Sequence, residues 1–181
     1  MTQKNDTLCK KPELVAPAGD FEKLKTAIEY GADAVYVGGE GFNLRMGASN
    51  LTLQEIGEAT DWVHKRGKKI YIALNIFARN YHVSGIRSYL ARLAKIPVDA
   101  VIVSDPGIFL TVRENAPHIP VHLSTQANTT NTKSVEFWQR QGVKRVVLAR
   151  ELTLGEIREI TNDSQTETEV FVHGAMCMSY S

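Results

Sequence analysis

The sequence predicts an α/β fold, specifically a (β/α)8 TIM-type barrel truncated after its seventh strand. Three observations predict it. Short apolar runs rich in β-branched residues alternate with segments of helical spacing six times before a seventh run appears. Several runs are apolar on both faces, as strands must be when helices cover one side and a packed interior the other. Polar residues stand at the C-terminal end of nearly every run, where a barrel gathers its chemistry. A doubly wound open sheet is the competing architecture. It is disfavoured because no Gly-x-Gly-x-x-Gly follows the first strand, and the turn Pro17-Ala-Gly-Asp20 is not a phosphate cradle of that type. A typical barrel holds about 250 residues, so a chain of 181 is expected to lack a helix, a strand and a final helix. Its open edges then need another segment or chain to cover them.

Residues 1–11 are polar and are expected to form a disordered tail, with the barrel domain over 12–181. The first strand, 13–16, leads to a helix over 21–30 that Asp20 caps at its start and Gly31 closes. The second strand, 34–37, runs into a long loop before a helix over 53–66, where Thr52 and Glu55 have capping-box spacing and Gly67 ends the turn. The third strand is 69–76 and its helix 83–96; the fourth is 100–104 with a helix over 107–115. The fifth strand, 121–124, precedes a helix over 133–141 closed by Gly142. The sixth, 145–149, precedes a helix over 154–162 opened by Thr153 with Glu156 three residues on. The seventh strand is placed at 169–172, buried because Val170, Phe171 and Val172 are β-branched or aromatic, and it turns at His173-Gly174 towards Cys177. The recurring endings Tyr30-Gly-Ala-Asp-Ala-Val, Arg66-Gly-Lys-Lys-Ile and Gln141-Gly-Val-Lys-Arg-Val are helix-to-strand turns of a βα repeat.

Composition narrows the function classes. With 43% hydrophobic and 23% charged residues, the chain is an ordinary globular domain that buries about two-thirds of its unfolded surface. A net charge of +1 gives no global field for nucleic acid or an anionic membrane. Residues 1–11 carry no apolar core of signal-peptide length and no window approaches the roughly 20 apolar residues of a membrane span, so a cytoplasmic location without membrane contact is expected. Two cysteines, Cys9 and Cys177, give no disulfide framework.

The strand ends supply the candidate site. Cys177 reads as a nucleophile, a metal or cluster ligand, or a small buried hydrophobe. His173 lies four residues before it, too far along extended chain for an automatic dyad, and joins the substrate-binding candidates. Arg150 and Glu151 form either an ion pair at a helix start or part of an active site, and Asp105 either caps the next helix or is catalytic. These three are the catalytic candidates. The run Ser124-Thr-Gln-Ala-Asn128, small polar and amide residues straight after a buried strand, points to binding through Ser124, Gln126 and Asn128. Asn75, Arg45 and Arg79 complete the substrate-binding set, since arginines on strand-end loops grip carboxylates or phosphates bidentately. No His-Glu-x-x-His helix, Gly-x-Ser-x-Gly elbow or aspartic pair is present, so no proteolytic mechanism can be built from these residues.

Six segments in order resemble the N-terminal barrel of the collagenase-like peptidase U32 family: Glu13-Leu-Val-Ala-Pro-Ala-Gly19, Tyr30-Gly-Ala-Asp-Ala-Val-Tyr36, Ser104-Asp-Pro-Gly107, His122-Leu-Ser-Thr-Gln-Ala-Asn128, Arg150-Glu-Leu-Thr-Leu154 and Phe171-Val-His-Gly-Ala-Met-Cys177. The resemblance extends from Glu13 to Ser181. It implies oxygen-independent hydroxylation: of tRNA wobble uridine with prephenate as hydroxyl source, of a ribosomal RNA cytidine, or of ubiquinone precursors, by proteins with an iron-sulfur cluster on four cysteines. The Ser124 to Asn128 and Arg150-Glu-Leu-Thr segments are most similar to the tRNA-hydroxylating branch.

By this resemblance Cys177 is the first ligand of a 4Fe–4S cluster. No cysteine follows it and Cys9 lies outside the matched region, so the chain as written is expected to hold no cluster and to be an inactive fragment. The complete protein is expected to convert wobble uridine to 5-hydroxyuridine, with tRNA and a small dicarboxylate donor as partners. Arg45, Arg79 and Arg150 would hold the donor's carboxylates, and Gln126 and Asn128 would read the edge of a flipped base. A collagenase-like peptidase and a non-catalytic scaffold subunit are the alternatives.

Overall fold

The computed structural model describes residues 11–39, 41–42 and 50–174. Arg45, Cys9 and Cys177 lie outside the described residues. The elements follow one another as β1 (Val15–Ala18), α1 (Phe21–Glu29), β2 (Ala34–Gly38), α2 (Leu53–His64), β3 (Lys69–Leu74), α3 (Asn80–Leu93) and β4 (Ala100–Val103). There follow α4 (Pro106–Asn115), β5 (Val121–Leu123), a 3-10 turn (Thr125–Ala127), α5 (Thr132–Arg140), β6 (Arg145–Val147), α6 (Leu154–Asp163) and β7 (Glu167–Glu169). All strands are parallel and pair in chain order from β1 to β7. This is the expected truncated TIM-type α/β barrel.

Alternation along the strands builds two apolar layers. Val35, Val37, Ile70, Ile72, Val101 and Val103 pack with helix residues such as Leu24, Ile56, Leu90 and Ile108 in the main core. Ala34, Tyr71, Ala100 and Ile102, with Val15 and Tyr36 against them, form a separate cluster on the opposite, concave face. Each fully buried Leu or Ile contributes about 1.5–3 kcal/mol, so the helix-facing layer dominates the stability.

The sheet is strongly curled. Glu13, just before β1, hydrogen-bonds Arg145 of β6 at 2.8 Å. In a flat sheet about 24 Å, five strand spacings, would separate those strands.

The helix-to-strand turns position the strand starts. Gly31, Gly67 and Gly142 adopt φ of 105, 66 and 90°, as C-terminal glycines in the left-handed region do. Asp33 accepts the Leu14 N–H at 3.1 Å and the Lys68 ammonium at 2.9 Å. Asp99 repeats the device two βα units later, accepting Ile70 N–H at 2.8 Å and facing His64 Nε2 at 2.9 Å. The expected caps at Asp20, Thr52 and Thr153 all accept an N–H of their helices, with capping boxes at the last two.

Several strand and helix ends differ from the sequence reading. β1 begins two residues later and takes in Pro17, which is tolerated because among the described residues β1 pairs on one side only. β3 ends at Leu74, and α3 stops at Leu93 because Pro97 disfavours continuing helix through the residue before it.

The largest correction concerns the seventh strand, which is neither at 169–172 nor deeply buried. β7 spans Glu167–Glu169, and Val170, Phe171 and Val172 beyond it are 39, 38 and 84% exposed. β-propensity marked the apolar run, but the register is set by Arg145, which pairs with Glu167 and holds both Glu167 and Glu169. The preceding α6 is shallowly packed, with Ile160 its buried residue.

Candidate active site

The C-terminal ends of β3, β4 and β5 bring three predicted residues into one network. Asn75 Nδ2 donates to Gln126 Oε1 at 3.0 Å, and Ser124 Oγ donates to the same oxygen. Ser104 Oγ donates to the Asn75 carbonyl at 3.2 Å. This orientation of the Gln126 amide lets its oxygen accept from both donors.

The loop carrying Gln126 is fixed from both sides. Ser124 N–H donates to the Val103 carbonyl at 2.7 Å, Thr125 Oγ1 donates to the Leu148 carbonyl at 3.2 Å, and Ala149 N–H donates to the Thr129 carbonyl at 3.1 Å. Asn128 takes the left-handed conformation, φ 56° and ψ 49°, that lets the chain reverse after the 3-10 turn. It is exposed and stands outside the amide network.

The other predicted residues divide. Arg150, half-buried after β6, places its guanidinium carbon 4.0 Å from the centre of the Phe171 ring. That stack ties the end of β6 to the segment following β7. Glu151 and His173 are exposed. Asp105 accepts the Ile108 N–H at 2.9 Å as the N-cap of α4, so its carboxylate has a structural task. Arg79 is exposed at the start of α3, and its N–H donates to His82 Nδ1 at 2.9 Å.

A second polar cluster, not anticipated from sequence, sits on the concave face towards the strand starts. Arg145 donates to Glu13 at 2.8 Å, to Glu167 at 2.7 Å and to Glu169 at 3.2 Å. Tyr71 Oη and Lys69 Nζ each donate to Glu13 at 2.6 Å. Burial alone would raise the Glu13 carboxyl, but the hydrogen bonds from Lys69, Tyr71 and Arg145 outweigh it and hold the pKa at about 2. Burial and then the bond to Glu13 push the Tyr71 phenol up. Burial also raises Glu169, with Arg145 opposing.

His122 shares this face, its ring edge-on to Tyr71 at 4.7 Å. It is 6% exposed, and its Nδ1 has no hydrogen-bond partner among the described residues. Burial, then the Arg145 charge, lowers its pKa to about 3. The signal for this cluster was a charged or polar residue at an inward position of an otherwise apolar strand.

The molecule thus separates a saturated ionic cluster near the strand starts from an amide-rich mouth at the strand ends. The profile of Peptidase family U32 matches residues 19–181. The chain belongs to that family.

Among family relatives, tRNA hydroxylation protein P1 of Bacillus subtilis (strain 168) is 50% identical over 174 residues, covering 96% of this chain and 41% of the relative. tRNA hydroxylation protein P of Escherichia coli (strain K12) is 43% identical over 172 residues, covering 94% and 38%. The chain therefore spans about two-fifths of the length of these curated relatives. A solved U32 peptidase superposes with a TM-score of 0.74 at 17% identity, covering 93% of this chain and 72% of that one, which bears on the fold alone.

An iron-sulfur cluster is the group the family resemblance implies. The sequence has two cysteines, both outside the described residues. Among the described residues no group of three or more His, Cys, Asp or Glu side chains is placed to hold a metal. These residues do not fit such a cluster. No helix among the described residues is long and apolar enough to cross a membrane.

Proposed function

We propose that this chain forms the barrel of an RNA-modifying hydroxylase that converts the wobble uridine of tRNA to 5-hydroxyuridine. The observation that carries the reading is the 50% identity, over nearly the whole chain, to a protein named for tRNA hydroxylation. The mouth is consistent with that task. Gln126, with its oxygen engaged by Asn75 and Ser124, offers donors to the carbonyl edge of an extruded base. Arg150, held face-on by Phe171 at the end of β6, is the group proposed to meet the carboxylate of a prephenate-like donor of the hydroxyl group.

In this reading the C5–H of uridine is replaced by C5–OH while the C–OH of the donor becomes C–H, so the donor is the two-electron oxidant, and the described residues bind and orient rather than act as proton-transfer groups. Asp105 serves the fold. A cluster with Cys177 among its ligands, and a cytoplasmic setting, belong to the same proposal; the remaining thiolates are not in this sequence. Proteolysis gains no support from the described site, where Ser124 donates to Gln126 and not to a histidine.

The test is nucleoside mass spectrometry of bulk tRNA from cells with and without the gene. Loss of hydroxyuridine on deletion, restored on complementation, is the expected result. Unchanged hydroxyuridine in a strain with no second family gene would refute the reading.

A further inference from the structure

We propose that the cleft between α2 and α3 is a binding site for a nucleoside monophosphate, with the base set against Phe42 and Leu53 and the phosphate on Arg92. The inference does not depend on the reaction proposed above. The cleft holds about 500 Å³, and its walls mix rings, aliphatic carbons and polar groups, as sites for small molecules do.

The aromatic wall rests on bare backbone. The Phe42 and Tyr89 rings meet edge to face with their centres 5.4 Å apart. A Cβ on Gly85 would lie 3.2 Å from Phe42 Cζ, and one on Gly39 would lie 2.1 Å from Tyr89 Oη. Glycine weakens a helix interior, and the ring packed over Gly85 accounts for its place in the middle of α3. A base stacks on such a wall whatever its identity.

The positive charge comes from Arg92. Arg87 pairs with Glu114 at 3.8 Å, whereas Arg92 forms no ion pair among the described residues. α3 carries no Asp or Glu from Asn80 to Leu93. Across the cleft, Glu55 accepts the Thr52 N–H at 2.8 Å and Glu58 accepts from Gln54 at 3.0 Å, so both carboxylates serve α2 itself. Because Glu55 already caps the start of α2, Arg92 and not the helix end is the group that meets an anion. Ser88 Oγ gives its hydrogen to the Ser84 carbonyl at 3.2 Å and so meets a ligand as an acceptor. A base amino group supplies the matching donor; a plain aromatic acid has none.

The test is calorimetric titration of the 181-residue chain with adenosine 5′-monophosphate, adenosine, benzoate and inorganic phosphate. The monophosphate is expected to bind at least about tenfold tighter than the other three. Arg92→Ala should remove that advantage and leave adenosine unchanged, while Phe42→Ala should weaken monophosphate and adenosine alike by about tenfold. A single-stranded oligoadenylate that displaces the monophosphate, with its affinity lost in both variants, assigns the site to a nucleotide of an RNA chain. One that does not compete assigns it to the free nucleotide.

No binding of the monophosphate, benzoate bound as tightly, or variants that keep a native circular dichroism spectrum and bind unchanged would each overturn the site. So would self-association lost in Phe42→Ala with no nucleotide bound, which would make the cleft a protein interface. Nucleotide binding with these dependences, together with unchanged tRNA hydroxyuridine on gene deletion, would refute the reaction and leave the site standing.

Discussion

Arg145 Nη1 lies 2.8 Å from Glu13 Oε1, although 132 residues separate them and four strands stand between β1 and β6 in the sheet order. The pair reports the curl of the barrel directly. It also closes a loop around Tyr71, which donates to the same Glu13 carboxylate.

Breaking this pair from one side leaves a buried charge without its partner. Arg145→Ala should cost about 3–5 kcal/mol in urea denaturation, and the double replacement Glu13→Leu with Arg145→Met distinctly less. A single-variant cost under about 1 kcal/mol would show that the cluster is solvated and carries little of the fold.

Acid should destabilise the chain in two steps. As pH falls below 6.5, the unfolded chain protonates His122 while the folded chain, with its pKa near 3, does not, so stability declines through that window. Glu13 adds a second loss, as stabilisation present above 4.5 disappears while pH falls through about 2. Each group sets a slope of at most about 1.4 kcal/mol per pH unit. Urea midpoints at about pH 7 and pH 5 check the first step, which His122→Asn should flatten; equal midpoints in the unsubstituted chain would contradict it.

Two glycines should answer alanine in opposite ways. A Cβ at Gly39 would lie 2.1 Å from the Tyr89 hydroxyl and 2.8 Å from the ring carbon bearing it, so Gly39→Ala must displace a packed ring, at a cost of about 1–3 kcal/mol. At Gly57, inside α2, nothing lies within 4 Å, and alanine should stabilise by about 0.5–1 kcal/mol. Thermal melts of both variants decide it, and equal shifts would rule out the contact at Gly39.

At the mouth, Arg150→Ala in the gene-encoded protein should abolish tRNA hydroxyuridine while leaving the melting curve within a few degrees. Phe171→Ala should give a partial loss, because a cation–π contact contributes about 0.5–2 kcal/mol to holding the guanidinium. Undiminished product from Arg150→Ala would remove that residue from the site.

Gln126→Leu should lower the same product at least tenfold with a stability cost of about 1–2 kcal/mol, since Asn75 and Ser124 lose an acceptor. Product at the unsubstituted level would mean that the amide network only braces the loop.

The order of elements, the helix caps and the Ser124 to Asn128 loop are legible in sequence because each rests on local chemistry: spacing, a capping side chain, polar residues after an apolar strand. The ionic cluster is not. Arg145 follows Lys144 and reads as surface charge at the start of a strand, and only closure of the sheet sets Glu13 against it. The same closure explains the misplaced seventh strand, where pairing to Arg145 outweighs the propensity of Val170, Phe171 and Val172. Asp105 is the converse case, a polar strand-end residue whose local capping role is the one the structure shows.

The shallow packing of α6 and the three-residue β7 has a kinetic consequence. Free energies of local opening follow the apolar contacts an element makes, so this last βα unit should form the least protected cooperative unit and exchange its amide hydrogens soonest. The central strands, with Ile70, Ile72, Val101 and Val103 fully covered, should exchange only on global unfolding. Thr125 and Thr129 bond to the backbone around β6, and Arg150 follows that strand, so transient opening of the unit would loosen the mouth from one side while Asn75 and Ser104 stay in place.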